Sequence, residues 1–297
     1  MNKNKIEYRK IRDFGALLNL TFEYIKANFK VLCLSNLYIA APTILLAGIF
    51  LGLYQSSFFN FTTNAELRQF GIPFLLSMIF MMISYLIVMV VTYSHWFAYK
   101  ESDAGIFNIE DVWKRTKQNF LPILFTGIGY SVIVGIVLLF TVALGMYLVF
   151  QVNAMFIFLV LSGIGLAVYL SINYSLIFII RIEEGIRFTA ALNRSKKLIS
   201  DNWWFTFGLV LVVGLLQSFL MYALYIPTYI VLFFVAFTGL EFADSGLVKI
   251  LFIITSIITS LSVLFYAIST LAISFHYYNL VERKEAPGLL VKVENIK

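Results

Sequence analysis

The sequence predicts an all-α, polytopic membrane helix bundle: six transmembrane helices arranged as three hairpins, each preceded by a cytoplasmic amphipathic surface helix. Three observations predict it. Of 297 residues, 61% are hydrophobic and 13% charged, with a mean hydropathy of +0.89, far from the ~25% charge of soluble globular chains. Six apolar runs reach the roughly 20 residues that a helix needs to cross a bilayer. A short basic stretch ending in Asn plus an aromatic ring occurs three times, at Asn28-Phe29, Asn119-Phe120 and Asn202-Trp203, and each copy runs into a pair of long apolar segments.

The first surface helix is capped by Asp13 and carries Phe14, Leu17, Leu18, Phe22, Ile25 and Phe29 at spacings of three and four, with Asn19, Glu23, Lys26 and Lys30 opposite. Spans one and two follow at about 31–53 and 72–98. In the second copy Asn108 precedes Ile109, Val112, Trp113, Thr116 and Phe120 on one side and Asp111, Lys114, Arg115 and Gln118 on the other. No formal charge lies between Pro122 and Ile180, so spans three (121–150) and four (154–180) are divided only by Gln151 and Asn153, the tip of a tight hairpin. The third copy has Phe188, Ala191, Leu192, Ser195, Leu198 and Ile199 on one stripe, with Arg187, Arg194, Lys196, Lys197 and Asp201 around it. These patterns mark interfacial helices. Spans five (203–237) and six (247–280) complete the set. Span five is longer than a perpendicular crossing requires, which tilt, an interfacial first turn at Trp203 and Trp204, or a kink at Pro227 absorbs. A closed barrel, the other spanning solution, needs strands of about ten alternating residues, unlike these runs.

The whole of 1–297 is expected to be one integral membrane domain, with repeat units at about 13–100, 106–184 and 186–284 and a short cytoplasmic tail at 285–297. The Asn anchors are 91 and 83 residues apart, natural for one surface helix plus two spans. Repeats of one orientation can be related by an axis along the membrane normal, so a pseudo-threefold bundle is possible.

Charge sets the orientation. Of 22 Lys and Arg residues, 7 precede span one, 4 lie between spans two and three, 5 between spans four and five, and 4 follow span six; only Arg68 and Lys249 lie on the other side. The positive-inside rule then places both termini and both basic connections in the cytoplasm, and the expected location is the bacterial cytoplasmic membrane. The first apolar run is too long for the core of a signal peptide and lacks a small-residue cleavage site, so no signal peptide is expected. The one cysteine, Cys33, reads as a small packing residue. The net charge of +6 is spread over four segments rather than gathered in one arm, which argues against nucleic acid. Anionic lipid head groups are the better partner, at about 1 kcal/mol per basic residue near the surface.

Each Asn-aromatic pair has two readings. One is a contact site for substrate or lipid. The other is geometric: Asn tolerates a backbone break where a surface helix turns into a span, and the ring sits at head-group depth. The ends of the even spans also resemble one another, TYSHWFAYKE at 92–101, NYSLIFIIRIEEG at 173–185 and ISFHYYNLVERKE at 273–285, with hydroxyls at Ser94, Ser175 and Ser274. The chain's 2 histidines, His95 and His276, both fall here. They can face one another and share a proton or ligand, or be two interfacial polar rings.

Recognisable chemistry is missing. No pair of His four apart brackets a Glu, no glycine-rich loop ends in Lys-Ser or Lys-Thr, and no Asp, Glu, Lys or Arg lies mid-span, where ion or proton coupling would need one. No catalytic residue, metal ligand or cofactor is therefore expected. Asn36, Gln217 and the intramembrane Ser, Thr and Tyr residues read as helix-packing contacts at about 0.6 kcal/mol each. Gly48 and Gly52 form a small-xxx-small pair.

The stretches RKIRDFGALLNLTFEYIKANFKVL at 9–32 and FTAALNRSKKLISDNWWFTFGLVLVV at 188–213, with Ala191, Leu192 and Ser195 followed by Asn202-Trp203, resemble a group of uncharacterised bacterial integral membrane proteins. These are similar to the membrane domain of glycerophosphoryl diester phosphodiesterases and related six-span families, and most similar to Bacteroidota members. The resemblance implies location and fold. It does not imply phosphodiesterase activity, which in those enzymes belongs to a separate soluble barrel that about 17 residues after span six cannot supply. Mitochondrial carriers also have three two-span repeats, but here Pro42, Pro122 and Pro227 are followed by Thr-Ile, Ile-Leu and Thr-Tyr instead of the carriers' charged residues.

Two functions remain. The first is a non-enzymatic membrane protein that organises lipid, or an unidentified protein partner, through its basic surface helices. The alternative is a small-solute or lipid transporter or permease component with a pathway lined by Tyr, Ser and Asn. An enzyme would rest on His95 and His276 alone.

Overall fold

The computed structural model describes residues 6–57, 64–102, 105–238 and 246–286, with side chains in 64–70 undescribed. Lys3, Lys5, Lys292, Lys297 and the side chain of Arg68, all used in the charge count, lie outside the described set, as does nearly all of the expected tail.

Among the described residues the secondary structure is wholly helical: α1 (Phe14–Ser57), α2 (Asn64–Glu101), α3 (Ile109–Gln151), a 3-10 turn (Ala154–Phe156), α4 (Ile157–Asn173), α5 (Ile177–Glu183), α6 (Phe188–Ile199), a second 3-10 turn (Ser200–Asn202), α7 (Trp203–Thr238), α8 (Gly246–Ser260), a third 3-10 turn (Leu261–Phe265) and α9 (Tyr266–Glu285). Six stretches among the described residues are long and apolar enough to cross a membrane: Phe14–Ser57, Gly71–Glu101, Ile109–Gln151, Ala154–Glu183, Phe188–Thr238 and Gly246–Glu285. Each contains one of the six expected spans. The chain is a multi-pass helical membrane protein.

Two helix starts follow the sequence closely. Asp13 Oδ1 accepts from the Ala16 amide at 2.8 Å, and Asn108 and Asp111 exchange side chain to main chain bonds of 3.0 Å in both directions, a reciprocal cap that satisfies two otherwise open groups. Gln151 ends α3, and Asn153 Oδ1 caps the following turn by accepting from the Met155 amide at 2.8 Å. The expected division between spans three and four is therefore observed.

The Asn anchors behave differently from expectation. α1 runs unbroken through Asn28-Phe29 and α3 through Asn119-Phe120; only the third anchor has a break, the 3-10 turn ending at Asn202. The reason is local. Asn28 Nδ2 bonds the Tyr24 carbonyl one turn back at 3.1 Å, as Asn36 does to Leu32 and Asn173 to Tyr169, so the amide follows the helical ladder instead of competing with it.

The chain divides into two compact units. Unit 1 holds Tyr24–Thr116 and Val213–Leu271; unit 2 holds Lys117–Val212 with the described residues up to Glu23 and from Ala272. In unit 1, Ala40, Ile44, Val88, Val263 and Ala267 form one buried cluster and Val231, Val235, Val248 and Phe252 another. α1 and α8 touch backbone to backbone: a Cβ on Gly48 would lie 2.6 Å from Ile257 Cα, and one on Gly52 2.5 Å from Ile253 Cα. The small-xxx-small pair is thus a real contact seam, since only hydrogen fits. Side chains also pair between helices, Ser84 with Thr43 (3.0 Å), Thr228 with Thr259 (3.0 Å), Ser256 with Gln55 (2.9 Å) and Ser269 with Gln217 (2.5 Å).

In unit 2, α4, α5 and α6 form a folded end. Tyr174–Leu176 separate α4 from α5, and Gly185, at φ +65°, turns the chain towards α6, a conformation that favours glycine. Leu176, Ile177, Ile179, Ile180, Ala191, Leu198 and Ile199 are buried, and Ser195 Oγ donates to the Asn173 carbonyl at 2.6 Å. α6 therefore differs from a helix resting its apolar stripe on lipid: protein covers Ala191, Ser195, Leu198 and Ile199.

Candidate functional site

Charge and hydrogen-bonding capacity concentrate in unit 2 where α5, α6, the end of α9 and the residues before α1 meet. Arg194 on α6 is the hub. Its Nε donates to Glu184 Oε1 at 3.0 Å, its Nη2 to Glu285 Oε2 at 2.9 Å, and its Nη1 to Glu285 Oε1. A planar guanidinium suits this forked pairing. Glu184 also accepts from the Tyr277 hydroxyl and Glu183 from the Tyr278 hydroxyl, each at 2.9 Å. On the neighbouring side Lys284 Nζ contacts Asp201 Oδ2 at 2.8 Å and the Lys197 carbonyl at 2.5 Å. The acidic and basic clusters that close two of the even spans thus meet α6 through opposite charges.

The segment before α1 is fastened to α9. The Arg12 amide donates to Asn279 Oδ1 and the Arg12 carbonyl accepts from Arg283 Nη2, both at 2.8 Å. Arg12's own guanidinium folds back on the carbonyls of Tyr8 (3.4 Å), Lys10 (3.2 Å) and Glu7. Burial pulls that guanidinium below its ordinary range and raises the Tyr8 phenol, whose ring meets Tyr278 edge-on at 4.9 Å.

Both histidines are fully buried, and each is bonded to a hydroxyl of its own unit. His95 Nδ1 lies 2.8 Å from the Tyr24 hydroxyl, and its ring meets Tyr24 and Phe107 edge-on. His276 Nε2 lies 2.8 Å from Thr206 Oγ1 and stacks on Phe205 at 5.4 Å, over which the Arg283 guanidinium sits at 5.3 Å. Arg181, at the end of the remaining even span, completes a set: its Nε donates to Thr126 Oγ1 at 3.3 Å. Three times, then, a nitrogen side chain near the end of an even span meets a hydroxyl near the start of the preceding odd one.

The expected interaction residues separate on inspection. Asn202 belongs to the His276 chain, because its carbonyl accepts from Thr206 Oγ1 at 2.9 Å. Trp203 stacks on Tyr169 (5.8 Å) and Phe207 (5.4 Å) and meets the exposed Trp204 edge-on. Phe29 is 63% exposed, and Asn28, Asn119 and Phe120 are half-buried within continuous helices. Tyr24, Thr206, Arg12, Asn279, Arg194, Glu184 and Glu285 were missed by sequence reasoning. For Arg194 a signal existed, the Glu-Glu and Glu-Arg-Lys-Glu clusters facing a basic helix; for the hydroxyl partners there was none.

Among the described residues no group of His, Cys, Asp and Glu has the arrangement of a metal site. No known family model matches the chain, nor does any curated protein or solved structure.

Proposed function

We propose that this is a non-enzymatic multi-pass protein of the bacterial cytoplasmic membrane, with both termini inside, that organises anionic lipid or a partner protein at its cytoplasmic face. The observation that carries this reading is the fixing of α6. Arg194 and the buried stripe hold one side of the helix, while Arg187, Lys196 and Lys197 stay exposed and Trp204, 77% exposed, follows at the entry to α7. A rigid basic face beside an indole that prefers head-group depth suits phosphate-bearing lipid heads. On this reading the helices pair as three hairpins, and the interfacial role of α6 comes from its charges, its apolar stripe being occupied by protein.

The test is lipid retention by purified protein in mixed nanodiscs or by native mass spectrometry. Lys196→Gln with Lys197→Gln should cut the preference for phosphatidylglycerol over phosphatidylcholine by about 30-fold, at about 1 kcal/mol per basic residue lost. Unchanged preference in a folded double variant overturns the proposal.

The transporter reading has one observation in its favour. Buried hydroxyls recur inside unit 1, among them Ser35, Ser84, Thr92, Thr259, Ser260 and Thr270, where a core packed solid with Leu and Phe would have argued against it. Flux of neutral polar solutes through proteoliposomes, abolished by substitution at these positions, would favour it over lipid organisation.

A further inference from the structure

His276 and Asn279 each carry a buried polar atom without a hydrogen-bond partner among the described residues, His276 Nδ1 and Asn279 Nδ2. They are 0% and 1% exposed and lie three residues apart, on one face of α9. The bonds around them determine what each atom offers. A threonine hydroxyl has one proton, and Thr206 is bonded both to the Asn202 carbonyl, which can only accept, and to His276 Nε2. Both bonds form together only when His276 donates from Nε2, which leaves Nδ1 as a bare acceptor. Asn279 is oriented equally firmly. Its Oδ1 accepts from the Arg12 amide, so the amide nitrogen, with its protons, is the unsatisfied end.

We infer that the structure holds a binding site for one buried water between His276 Nδ1 and Asn279 Nδ2, with the water donating to the first and accepting from the second. The pairing of one acceptor with one donor suits water better than a simple ion. A fully deprotonated anion has no proton for Nδ1, and a cation would face the Asn279 protons with the Arg283 guanidinium on the same helix face. Residues three apart on a helix are neighbours on one face, so one molecule can be shared between the two side chains through hydrogen bonds of ordinary length, about 2.8 Å. Water at such a place completes a chain from Asn279 through His276 and Thr206 to the Asn202 carbonyl, and satisfies groups that are costly to leave unpaired. The site is independent of the lipid-organising role.

The experiment is nitrogen-15 spectroscopy of histidine-labelled full-length protein in nanodiscs, with His95→Gln to assign the two rings. The expected spectrum shows His276 as the Nε2–H tautomer, with a pyridine-type Nδ1 that receives magnetisation from water. Asn279→Leu should abolish that transfer and leave the tautomer unchanged, because Thr206 still accepts from Nε2. A protonated Nδ1, or a pyridine-type Nδ1 with no water transfer in the unsubstituted protein, overturns the inference whether or not the Asn279 variant folds.

Discussion

Asn279 accepts a hydrogen bond from the main-chain amide of Arg12 at 2.8 Å, across 267 residues of sequence. With Arg283 on the Arg12 carbonyl, one peptide segment is gripped on both of its polar groups by residues one turn apart on α9. A side chain that bonds main chain specifies the path of a segment whatever its own side chains are.

Removing that grip should free the segment before α1. Asn279→Leu is expected to speed tryptic cleavage at Arg9 and Lys10, both exposed, by roughly tenfold, the loss of one hydrogen bond of about 1–1.5 kcal/mol from the local opening equilibrium. Cleavage is read by mass spectrometry under native conditions, and an unchanged rate would show that the bond contributes nothing to holding the segment.

Arg194→Ala leaves Glu184 with only the Tyr277 hydroxyl. The Arg194 side chain is 21% exposed, and those of Glu184 and Glu285 are 23% and 42% exposed, so a cost of about 1–2 kcal/mol is expected, between the values for surface and buried pairs. Thermal unfolding in detergent should show the lowered midpoint. Added salt should destabilise the original protein more than the variant.

The α1–α8 seam predicts a sharp contrast between glycines. Gly48→Ala and Gly52→Ala each drive a methyl group into the backbone of Ile257 or Ile253 and should destabilise by about 1–3 kcal/mol. Gly214→Ala meets nothing within 4 Å and should be tolerated. Unfolding titrations in mixed micelles compare the three.

Tyr24→Phe would leave buried His95 without a partner on either nitrogen among the described residues, at about 1–3 kcal/mol. His95→Phe alone strands the Tyr24 hydroxyl's bond to the ring, while the double replacement removes both ends together. A double-mutant cycle should therefore return a coupling near 1 kcal/mol, and zero coupling would show that the bond carries no net stability.

The spans, the Asp13 cap, the helix start after Asn108 and the turn at Asn153 were legible because each depends on residues close in sequence. Lipid-compatible length is a property of one segment, and a cap is decided within four residues. The pairs Tyr24 with His95, Thr206 with His276 and Arg194 with Glu285 lie 71, 70 and 91 residues apart, so only the folded chain chooses them. The expectation that failed, a break at every Asn anchor, failed because an asparagine amide can bond the carbonyl four residues back as readily as it can end a helix. Asn28 does the first, and Asn202 closes a 3-10 turn.

The unequal burial of the spans bears on how the protein is made. In the most apolar window of α3 only 6% of residues are buried, at a hydropathy of 2.7, whereas in the last span 44% are buried and the lining includes Thr255, Ser256, Thr259, Ser260 and Ser262. The hydropathy of α3 favours its partition into lipid as a single segment. The last span, with more of its residues and several hydroxyls buried, depends more on packing against neighbouring helices.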